Sequence, residues 1–441
     1  MTYTLKSSFA RRILVLLVVV LVLTMVGRLV KVTGSAALCS GWPICWPTQP
    51  QGWVQFAHRG LVALAALLML DILHKAWREQ RNDALLLPLT TVLGVLFFGQ
   101  AFIGALGATT GYPRHLEILH GLTATSLWIS LIALTLVSGL QARDPETIPV
   151  LDAKQRFKDF FILTKPLIVG LLLATTLAGL IAGYGGWPPL SLIGWTLLGG
   201  ALAAGGSSAL NQYIDRELDR HMQRTSKRPL AAERLTPAEG LSFGLALCLA
   251  SYYILAGYVN LLAALLSLAG IFYYVLFYSV WLKKATVQNI VIGGGAGAIP
   301  PLVGWAAATG SLNLAALILF AIVFMWTPPH FWALAIVRKN DYERAGVPML
   351  PVVRGEQETR RQIMIYTVIL VGITLLLPIL RYTGAIFLVS ALVLGVGLIY
   401  AAWRVVRVPG NKVAFRMYRW SSMYLLFIFI ALMLDAVFKA G

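Results

Sequence analysis

The side chains best suited to chemistry lie in the segment NQYIDRELDRHMQRTSKRP, at positions 211–229. Asn211, Asp215 and Asp219 recur at every fourth residue, which places them on one face of a helix. Amide and carboxylate oxygens are the ligands that Mg²⁺ prefers, and bound Mg²⁺ commonly bridges to phosphate groups. The spacing therefore predicts a site for a magnesium-bound phosphate compound.

Three cations follow this acidic row directly: Arg224, Lys227 and Arg228. Such side chains donate hydrogen bonds to phosphate oxygens, and Arg can donate two in parallel. Together with a metal they would neutralise a leaving diphosphate, as the cleavage of an allylic C–O bond requires. A lone aspartate here would indicate only a solvated helix end. An acidic row followed by three cations favours a diphosphate site instead.

The composition places these residues in a membrane protein. Of 441 residues, 58% are hydrophobic and 12% are charged, about half the charge of a soluble domain. Apolar runs of about 20 residues can each cross a bilayer, and they predict an all-α integral membrane protein with thirteen spans. The start of the first span looks like a signal peptide, but because no small-residue cleavage site follows we expect a retained helix. The predicted spans are 11–30, 53–74, 84–108, 117–140, 162–184, 190–214, 238–257, 261–281, 287–308, 314–336, 361–380, 383–403 and 418–438.

The distribution of positive charge predicts the orientation. With a cytoplasmic N-terminus and alternating spans, 30 of the 36 Lys and Arg residues fall on inside segments. This bias follows the positive-inside rule. It places the 211–229 segment at the cytoplasmic face of the cell membrane. It also accounts for the net charge of +18, so the basicity does not indicate a nucleic-acid partner.

A polar interruption at 141–165 separates four spans from nine. We therefore predict three parts: a four-helix bundle at 1–142, a cytoplasmic linker at 143–160 and a nine-helix domain at 161–441.

The N-x-x-x-D-x-x-x-D row follows a small-residue helix and resembles the first aspartate motif of the UbiA superfamily of intramembrane prenyltransferases. Members of that superfamily have nine transmembrane helices, and the resemblance covers roughly residues 155–440. Five more stretches are similar to the haem O synthase branch. They are YSVWLKK at 278–284, QNIVIGG at 288–294, PPLVGW at 300–305, TPPHFW at 327–332 and DYERAGVPMLP at 341–351.

The resemblance implies transfer of a farnesyl group from farnesyl diphosphate to the 2-vinyl of protohaem IX (haem B). The product would be haem O, for haem-copper oxidase biogenesis. It implies that Asn211, Asp215 and Asp219 hold Mg²⁺-diphosphate, and that a second acidic loop contributes Asp341. The implied phosphate partners are Arg224, Lys227, Arg228 and Lys283.

Two other residues have an open role. His330 is implied to lie near the porphyrin or the reacting vinyl, but a neutral histidine bonded to a carbonyl freed by nearby prolines is the alternative. Tyr278 is implied to shield a carbocation or bind the diphosphate, with an ordinary interfacial tyrosine as the alternative. The chain also departs from the branch, because Asn340 and Ala345 stand where acids are expected. The resemblance therefore implies one Mg²⁺ site on the row, and a second site in this loop would lack two of the expected acids.

In the first four spans, His58 and His120 start two helices on the same side of the membrane. Two imidazoles from a bundle can clamp a haem iron, and unrelated interfacial histidines are the alternative. Cys39 and Cys45 share one outer loop, so a disulfide or two free thiols are both open.

Residues 10–140 resemble the first half of haem A synthase through the stretches TGS at 33–35, WPIC at 42–45 and HRG at 58–60. The resemblance implies that His58 and His120 are axial haem ligands and that Cys39 and Cys45 are the outer-loop pair. Gln55 stands in place of a glutamate, and because it cannot relay a proton we expect haem binding rather than oxidation. Partners of such a bundle would be a second copy or haem A synthase.

Two alternatives to protohaem farnesylation remain at this level. One is a quinone-pathway prenyltransferase that acts on an aromatic acid. The other is a non-enzymatic haem carrier or transporter, which would not need both Asp215 and Asp219.

Overall fold

A computed structural model describes residues 8–35, 43–44, 46–111, 113–140, 152–344 and 346–439. Within these ranges every regular element is a helix. In chain order they are α1 Ser8–Thr33, α2 Gly52–Glu79, α3 Leu86–Thr110, α4 Arg114–Leu140, α5 Ala153–Leu163, α6 Pro166–Tyr184, α7 Leu190–Arg220, α8 Pro237–Tyr258, α9 Leu261–Phe272, a π-helical segment Tyr273–Leu282, α10 Lys283–Ala285, α11 Asn289–Thr309, α12 Leu314–Val337, α13 Lys339–Arg344, α14 Leu350–Val353, α15 Gly355–Ile379, α16 Ala385–Arg407 and α17 Asn411–Lys439.

Thirteen helices in the described ranges are long and apolar enough to cross a membrane. They are α1–α4, α6–α8, α9 with the π-helical segment, α11, α12 and α15–α17. Many of their outward residues are large and apolar, as a lipid-facing helix requires. The predicted all-α membrane fold and its number of spans are confirmed.

Backbone contacts divide the chain into two compact units: Met1–Arg156 with Leu235–Tyr253, and Phe157–Arg234 with Ile254–Gly441. In the first unit α1 packs on α2 and α4, and α3 packs on α2 and α4, which makes an antiparallel four-helix bundle. The first part of α8 joins this unit, where Tyr253 donates to Thr123 at 3.3 Å. The predicted division into a bundle at 1–142, a linker at 143–160 and a nine-helix domain at 161–441 stays a prediction.

A buried ion-pair group also lies in the first unit. Thr236 and Glu239 form a capping box at the start of α8, with backbone-to-side-chain bonds of 2.9 and 3.1 Å. The buried Glu239 carboxylate also accepts from Arg81 at 2.7 Å and from Arg156 at 2.6 Å. Because both cations face one carboxylate, the start of α8 is held in a fixed place.

In the second unit the closest helix crossing is between α6 and α11. A Cβ added at Gly304 would come within 1.9 Å of the Thr176 carbonyl oxygen, and one at Gly179 within 2.2 Å of the Pro301 oxygen. Only glycine therefore allows these two backbones to touch, as at many membrane helix contacts. The α12, α15 and α17 helices complete the core around this pair.

We predict that Gly304→Ala destabilises the second unit by about 1–3 kcal/mol, because its methyl group would overpack against the α6 backbone. Thermal unfolding of the purified protein, followed by circular dichroism, measures the change. Gly297→Ala is the matched control, since it lies on the same helix with nothing within 4 Å of its added Cβ. Equal melting temperatures for the two variants would contradict this account of the crossing.

Candidate active site

The predicted metal ligands lie together on one buried face of α7. Asn211, Asp215 and Asp219 are only 5%, 4% and 3% exposed. The Asn211 amide donates to Asp215 Oδ2 at 2.8 Å and to Ser279 Oγ at 3.0 Å. The structure thus brings the row together as the four-residue spacing predicts, and it turns the row inward rather than toward solvent.

Two of the predicted phosphate partners reach this row. Lys283 Nζ lies 2.6 Å from Asp215 Oδ2, and Arg228 Nη1 lies 2.7 Å from Asp219 Oδ2. Burying a carboxylate without an opposite charge costs several kcal/mol, on the order of the penalty measured when a buried pair is broken. The two cations therefore stabilise the acidic row in the absence of any ligand.

Local structure carries each cation to its carboxylate. The wide turns of the π-helical segment place Ser279 toward α7, and Lys283, the first residue after that segment, reaches the same helix. After α7 the chain folds back in short turns, where the Thr225 hydroxyl donates to the Asp219 carbonyl at 3.2 Å and Arg228 N donates to the Thr225 carbonyl at 2.9 Å. This return brings Arg228 beside Asp219.

A third cation, Lys165, was not among the predicted site residues. Its Nζ donates to Asn211 Oδ1 at 3.0 Å. Burial lowers the pKa of Lys165 to about 7, with Arg228 acting in the same direction, while Asp215 and Asp219 oppose the shift. An incoming polyanion would favour its charged form. In the sequence Lys165 is only one of the positive charges on the cytoplasmic segments, because no motif around it indicates a binding site.

The backbone of Lys165 adopts a strained conformation at the position where its side chain reaches the acidic row. Lys165 has a φ of 50° directly before Pro166, at the start of α6. That left-handed conformation costs on the order of 1 kcal/mol in a residue other than glycine. It is held because Ser208 and Gln212 on α7 both donate to the Leu163 carbonyl, at 2.8 and 2.9 Å.

One further ion pair fixes α5 over the site. Arg234 donates to both oxygens of the buried Asp159, at 2.9 to 3.1 Å. Since α5 ends at Leu163, this bidentate pair holds the segment that carries Lys165. Neither residue was predicted, because Asp159 and Arg234 are far apart in the sequence.

Tyr278 lies half-buried beside the acidic row, stacked on Tyr274 with ring centroids 5.8 Å apart. Both tyrosines are close enough to Asp215 to interact with its charge. The Tyr278 ring packs directly on Gly293, where an added Cβ would come within 2.3 Å of it. Gly293 of the QNIVIGG stretch thus gives room for the Tyr278 ring.

The other two members of the basic triplet point elsewhere. The Arg224 side chain is exposed and hydrogen-bonds the hydroxyl of the buried Tyr342. Burial raises the pKa of Tyr342, and Arg224 opposes that shift. Lys227 is exposed, and in the described part of the chain its side chain forms no ion pair. Only Arg228 of the triplet contacts the acidic row.

Asp341 has partners of its own. Its carboxylate pairs with Arg344 at 2.5 Å and with Arg338 at 4.0 Å. The neighbouring Tyr342 packs with Met222, close after the end of α7. Ala345 lies outside the described residues. A second metal site in this loop stays a prediction.

His330 lies in a separate aromatic cluster between α12 and α17. Its Nδ1 is 2.8 Å from Ser421 Oγ, and its ring lies between Trp326 and Tyr418. These contacts include none of the acidic row. The ring bonds the Ser421 hydroxyl and the Tyr418 backbone, both on α17. Both roles considered for His330 stay predictions.

The donor set suits Mg²⁺ bridged to a diphosphate. The described residues contain no cluster of three or more His, Cys, Asp or Glu that could hold a metal ion by itself. The row offers two carboxylates and one amide oxygen, and Mg²⁺ is usually bound by one or two carboxylates with substrate phosphates completing its shell. The residues present therefore fit a metal that arrives with a diphosphate.

In the first unit, His58 and His120 are close enough to interact electrostatically. The Nδ1 atom of each is buried without a hydrogen-bond partner. Each ring lies against a glycine of a neighbouring helix: an added Cβ would be 3.1 Å from His58 at Gly27 and 3.4 Å from His120 at Gly104.

Two other predictions concern the first unit. Gln55 is buried, and its side-chain oxygen also lacks a partner. The predicted outer-loop pair, Cys39 and Cys45, lies outside the described residues.

Comparison with known proteins identifies the second unit. The model of the UbiA prenyltransferase family matches residues 172–428, more than half of the chain. The chain belongs to the UbiA prenyltransferase family. It is an enzyme of the prenyltransferase class, and the buried acidic row with its cations lies in the matched region.

Two relatives illustrate how far the similarity extends. A protoheme IX farnesyltransferase of Roseiflexus sp. (strain RS-1) is 42% identical over 426 residues, covering 92% of this chain and 79% of the relative. A protoheme IX farnesyltransferase of Symbiobacterium thermophilum is 50% identical over 297 residues, covering 67% of this chain and 98% of the relative. The first alignment therefore includes much of the four-helix bundle as well.

A solved structure supports the fold of the second unit. A digeranylgeranylglyceryl phosphate synthase superposes with a TM-score of 0.55 at 16% identity, and covers 64% of this chain and 99% of that one. At this identity the likeness shows the fold alone. It confirms the all-helical UbiA-type fold expected from the sequence, and the nine-helix extent of the domain stays a prediction.

We predict that Lys165→Met weakens the binding of inorganic diphosphate with Mg²⁺ by about 10- to 100-fold, because a hydrogen bond to a charged group contributes about 1.5–3 kcal/mol. Isothermal titration calorimetry on the purified protein measures this affinity. Lys154→Met on α5 is the control, since Lys154 is exposed. If both variants bind like the wild type, Lys165 is not part of the site.

Proposed function

We propose that this chain transfers the farnesyl group of farnesyl diphosphate to the 2-vinyl of protohaem IX, giving haem O. The observation that carries the proposal is the buried Asn211–Asp215–Asp219 row with Lys165, Lys283 and Arg228 around it. Relatives that are named protoheme IX farnesyltransferase support the choice of acceptor. The product would serve haem-copper oxidase biogenesis, on the pathway to haem A.

The site residues have separate tasks in this reaction. Asn211, Asp215 and Asp219 would hold Mg²⁺, which when bound supplies Lewis-acid neutralisation of the diphosphate oxygens. Lys283 and Arg228, freed from the carboxylates by the metal, would donate to the leaving diphosphate together with Lys165. In the structure each of these three cations lies within hydrogen-bond distance of a residue of the acidic row.

The bond changes follow from this arrangement. The allylic C–O bond breaks, and its electron pair leaves with the diphosphate. The vinyl electrons of protohaem then form the new C–C bond to the farnesyl cation, and water adds to the resulting porphyrin-side cation with loss of a proton. Tyr274 and Tyr278 line this region with aromatic faces, which stabilise a nearby cation and exclude water until the C–C bond has formed.

We further propose that the acidic row faces the cytoplasm, at the plasma membrane. The 30 of 36 Lys and Arg residues on alternate segments support this orientation. Farnesyl diphosphate is a polyanion and would reach the row from that aqueous side.

For the first unit we propose haem binding by His58 and His120. Two half-buried imidazoles whose Nδ1 atoms are buried and unpartnered lie close together, and Gly27 and Gly104 let each ring approach the neighbouring helix. With Gln55 in place of a carboxylate, the bundle would hold or receive haem rather than oxidise it. A second copy of the chain or a haem A synthase would be its partner.

We predict that Asp215→Asn and Asp219→Asn each lower haem O formation by at least about 100-fold, since removal of one group that stabilises transition-state charge typically costs 10²–10³ in rate. Membranes containing the protein are incubated with protohaem, farnesyl diphosphate and Mg²⁺, and the pigments are separated by chromatography. Glu217→Gln on the exposed side of α7 is the control.

The outcomes separate the candidate functions. If the wild type forms no haem O under these conditions, the proposed acceptor is wrong, and prenylation of an aromatic acid becomes the next assay. If both aspartate variants keep full activity, the diphosphate site has been placed incorrectly and a carrier role gains support.

We predict that the purified protein shows the absorption spectrum of a bis-histidine, low-spin haem, and that His58→Ala or His120→Ala abolishes it. His74→Ala, on the exposed side of α2, should leave the spectrum unchanged. A low-spin spectrum that survives both ligand variants would contradict haem ligation by this pair.

A further inference from the structure

The side-chain amide of Asn211 has a defined direction within the acidic row. A carboxylate only accepts hydrogen bonds, so the end of the amide that lies 2.8 Å from Asp215 Oδ2 is the NH₂ group. The amide oxygen Oδ1 then faces Lys165 Nζ, which donates to it at 3.0 Å. This direction matters for the proposed metal site, because Mg²⁺ binds oxygen ligands and an NH₂ group offers it none.

Two of the groups that hold this amide change partners in the proposed reaction. Asp215 would become a metal ligand, and Lys165 would donate to the diphosphate. Neither would then hold the Asn211 amide as it now does. The terminal torsion of an asparagine side chain is broad and roughly two-fold, so an amide without another partner can present either end to the metal.

Ser279 is the third group that contacts the amide, and it has no part in the proposed metal and diphosphate contacts. Its Oγ lies 3.0 Å from Asn211 Nδ2 and donates to the Tyr274 carbonyl oxygen at 2.8 Å. A serine hydroxyl has one proton to donate. Because that proton is used on Tyr274, the Ser279 oxygen can only accept from Asn211, and it accepts from the NH₂ end.

The π-helical segment gives Ser279 this geometry. Buried serines in an α-helix usually donate to a carbonyl three or four residues earlier. Ser279 instead donates to the carbonyl of Tyr274, five residues earlier, as the wider turns of Tyr273–Leu282 allow. Only 2% of Ser279 is exposed, so water does not compete for either of its hydrogen bonds.

We propose that Ser279 is a positioning residue for the metal: by accepting from the NH₂ group of Asn211, it keeps the amide oxygen available to Mg²⁺ when Asp215 and Lys165 change partners. This inference deepens the proposed function and rests on its metal–diphosphate site. Ser279 itself touches neither the metal nor the substrate, and it acts only through Asn211.

The Ser279→Ala variant removes the acceptor and leaves the amide free to turn. Isothermal titration calorimetry measures binding of inorganic diphosphate to the full chain, purified in detergent, over a series of Mg²⁺ concentrations. The Mg²⁺ concentration that gives half of the maximal affinity should rise about tenfold, the loss expected for a buried donor left without its acceptor. At saturating Mg²⁺ the diphosphate affinity should stay within about threefold of the wild type, which a generally disrupted site would not allow.

A double-mutant cycle with Asn211→Asp separates orientation of the amide from packing. A carboxylate presents an oxygen to the metal in either direction, so the contact with Ser279 becomes redundant in this background. There we expect Ser279→Ala to change the half-maximal Mg²⁺ concentration by less than about twofold. An equal change in both backgrounds would mean that the hydroxyl does not act by orienting the amide, and would overturn the proposal.

Ser207→Ala is the matched control. Ser207 is also a buried serine, but its hydroxyl donates to the Ala203 carbonyl within its own helix, at 2.7 Å. Its Mg²⁺ dependence should equal that of the wild type, and melting temperatures show that each variant is folded. Unchanged Mg²⁺ dependence in Ser279→Ala would overturn this inference alone. A wild-type protein that binds diphosphate equally well without Mg²⁺ would overturn the proposed metal site together with it.

Discussion

The structure depends on charge compensation at one end of a membrane helix bundle. Asp215 and Asp219 are buried, and each is paired with a cation at less than 3 Å. In a low-dielectric environment neither charge is tolerated without the other. In the proposed function a divalent metal with a diphosphate would bring equivalent opposite charges to the same positions. Binding would then substitute one set of ion pairs for another.

Helix packing holds these charged side chains in fixed positions relative to one another. The crossing of α6 and α11 at Gly179 and Gly304 fixes the helix whose first turn follows Lys165. The Asp159–Arg234 pair holds α5 on the other side of that lysine. One helix crossing and one ion pair thus position Lys165 beside Asn211.

The sequence predicts the parts of this site that depend on local spacing. The row at positions 211, 215 and 219 shares a face in any helix, and thirteen apolar segments must span the bilayer whatever their neighbours. Lys165 escaped prediction because it meets Asn211 only through the docking of α5 on α7, across 46 residues. Arg224 and Lys227 are adjacent to Arg228 in sequence, yet only Arg228 turns back to the row. Loop geometry, which composition does not specify, decides that difference.

The central claim is that the cations now paired with the acidic row become the hydrogen-bond partners of a metal-bound diphosphate. A structure of the protein with Mg²⁺ and a non-cleavable farnesyl thiodiphosphate tests it most directly. The account predicts that Lys283 and Arg228 leave Asp215 and Asp219 and donate to phosphate oxygens beside Lys165, while the carboxylates face the metal. An analogue bound elsewhere, with both present ion pairs intact, would contradict it.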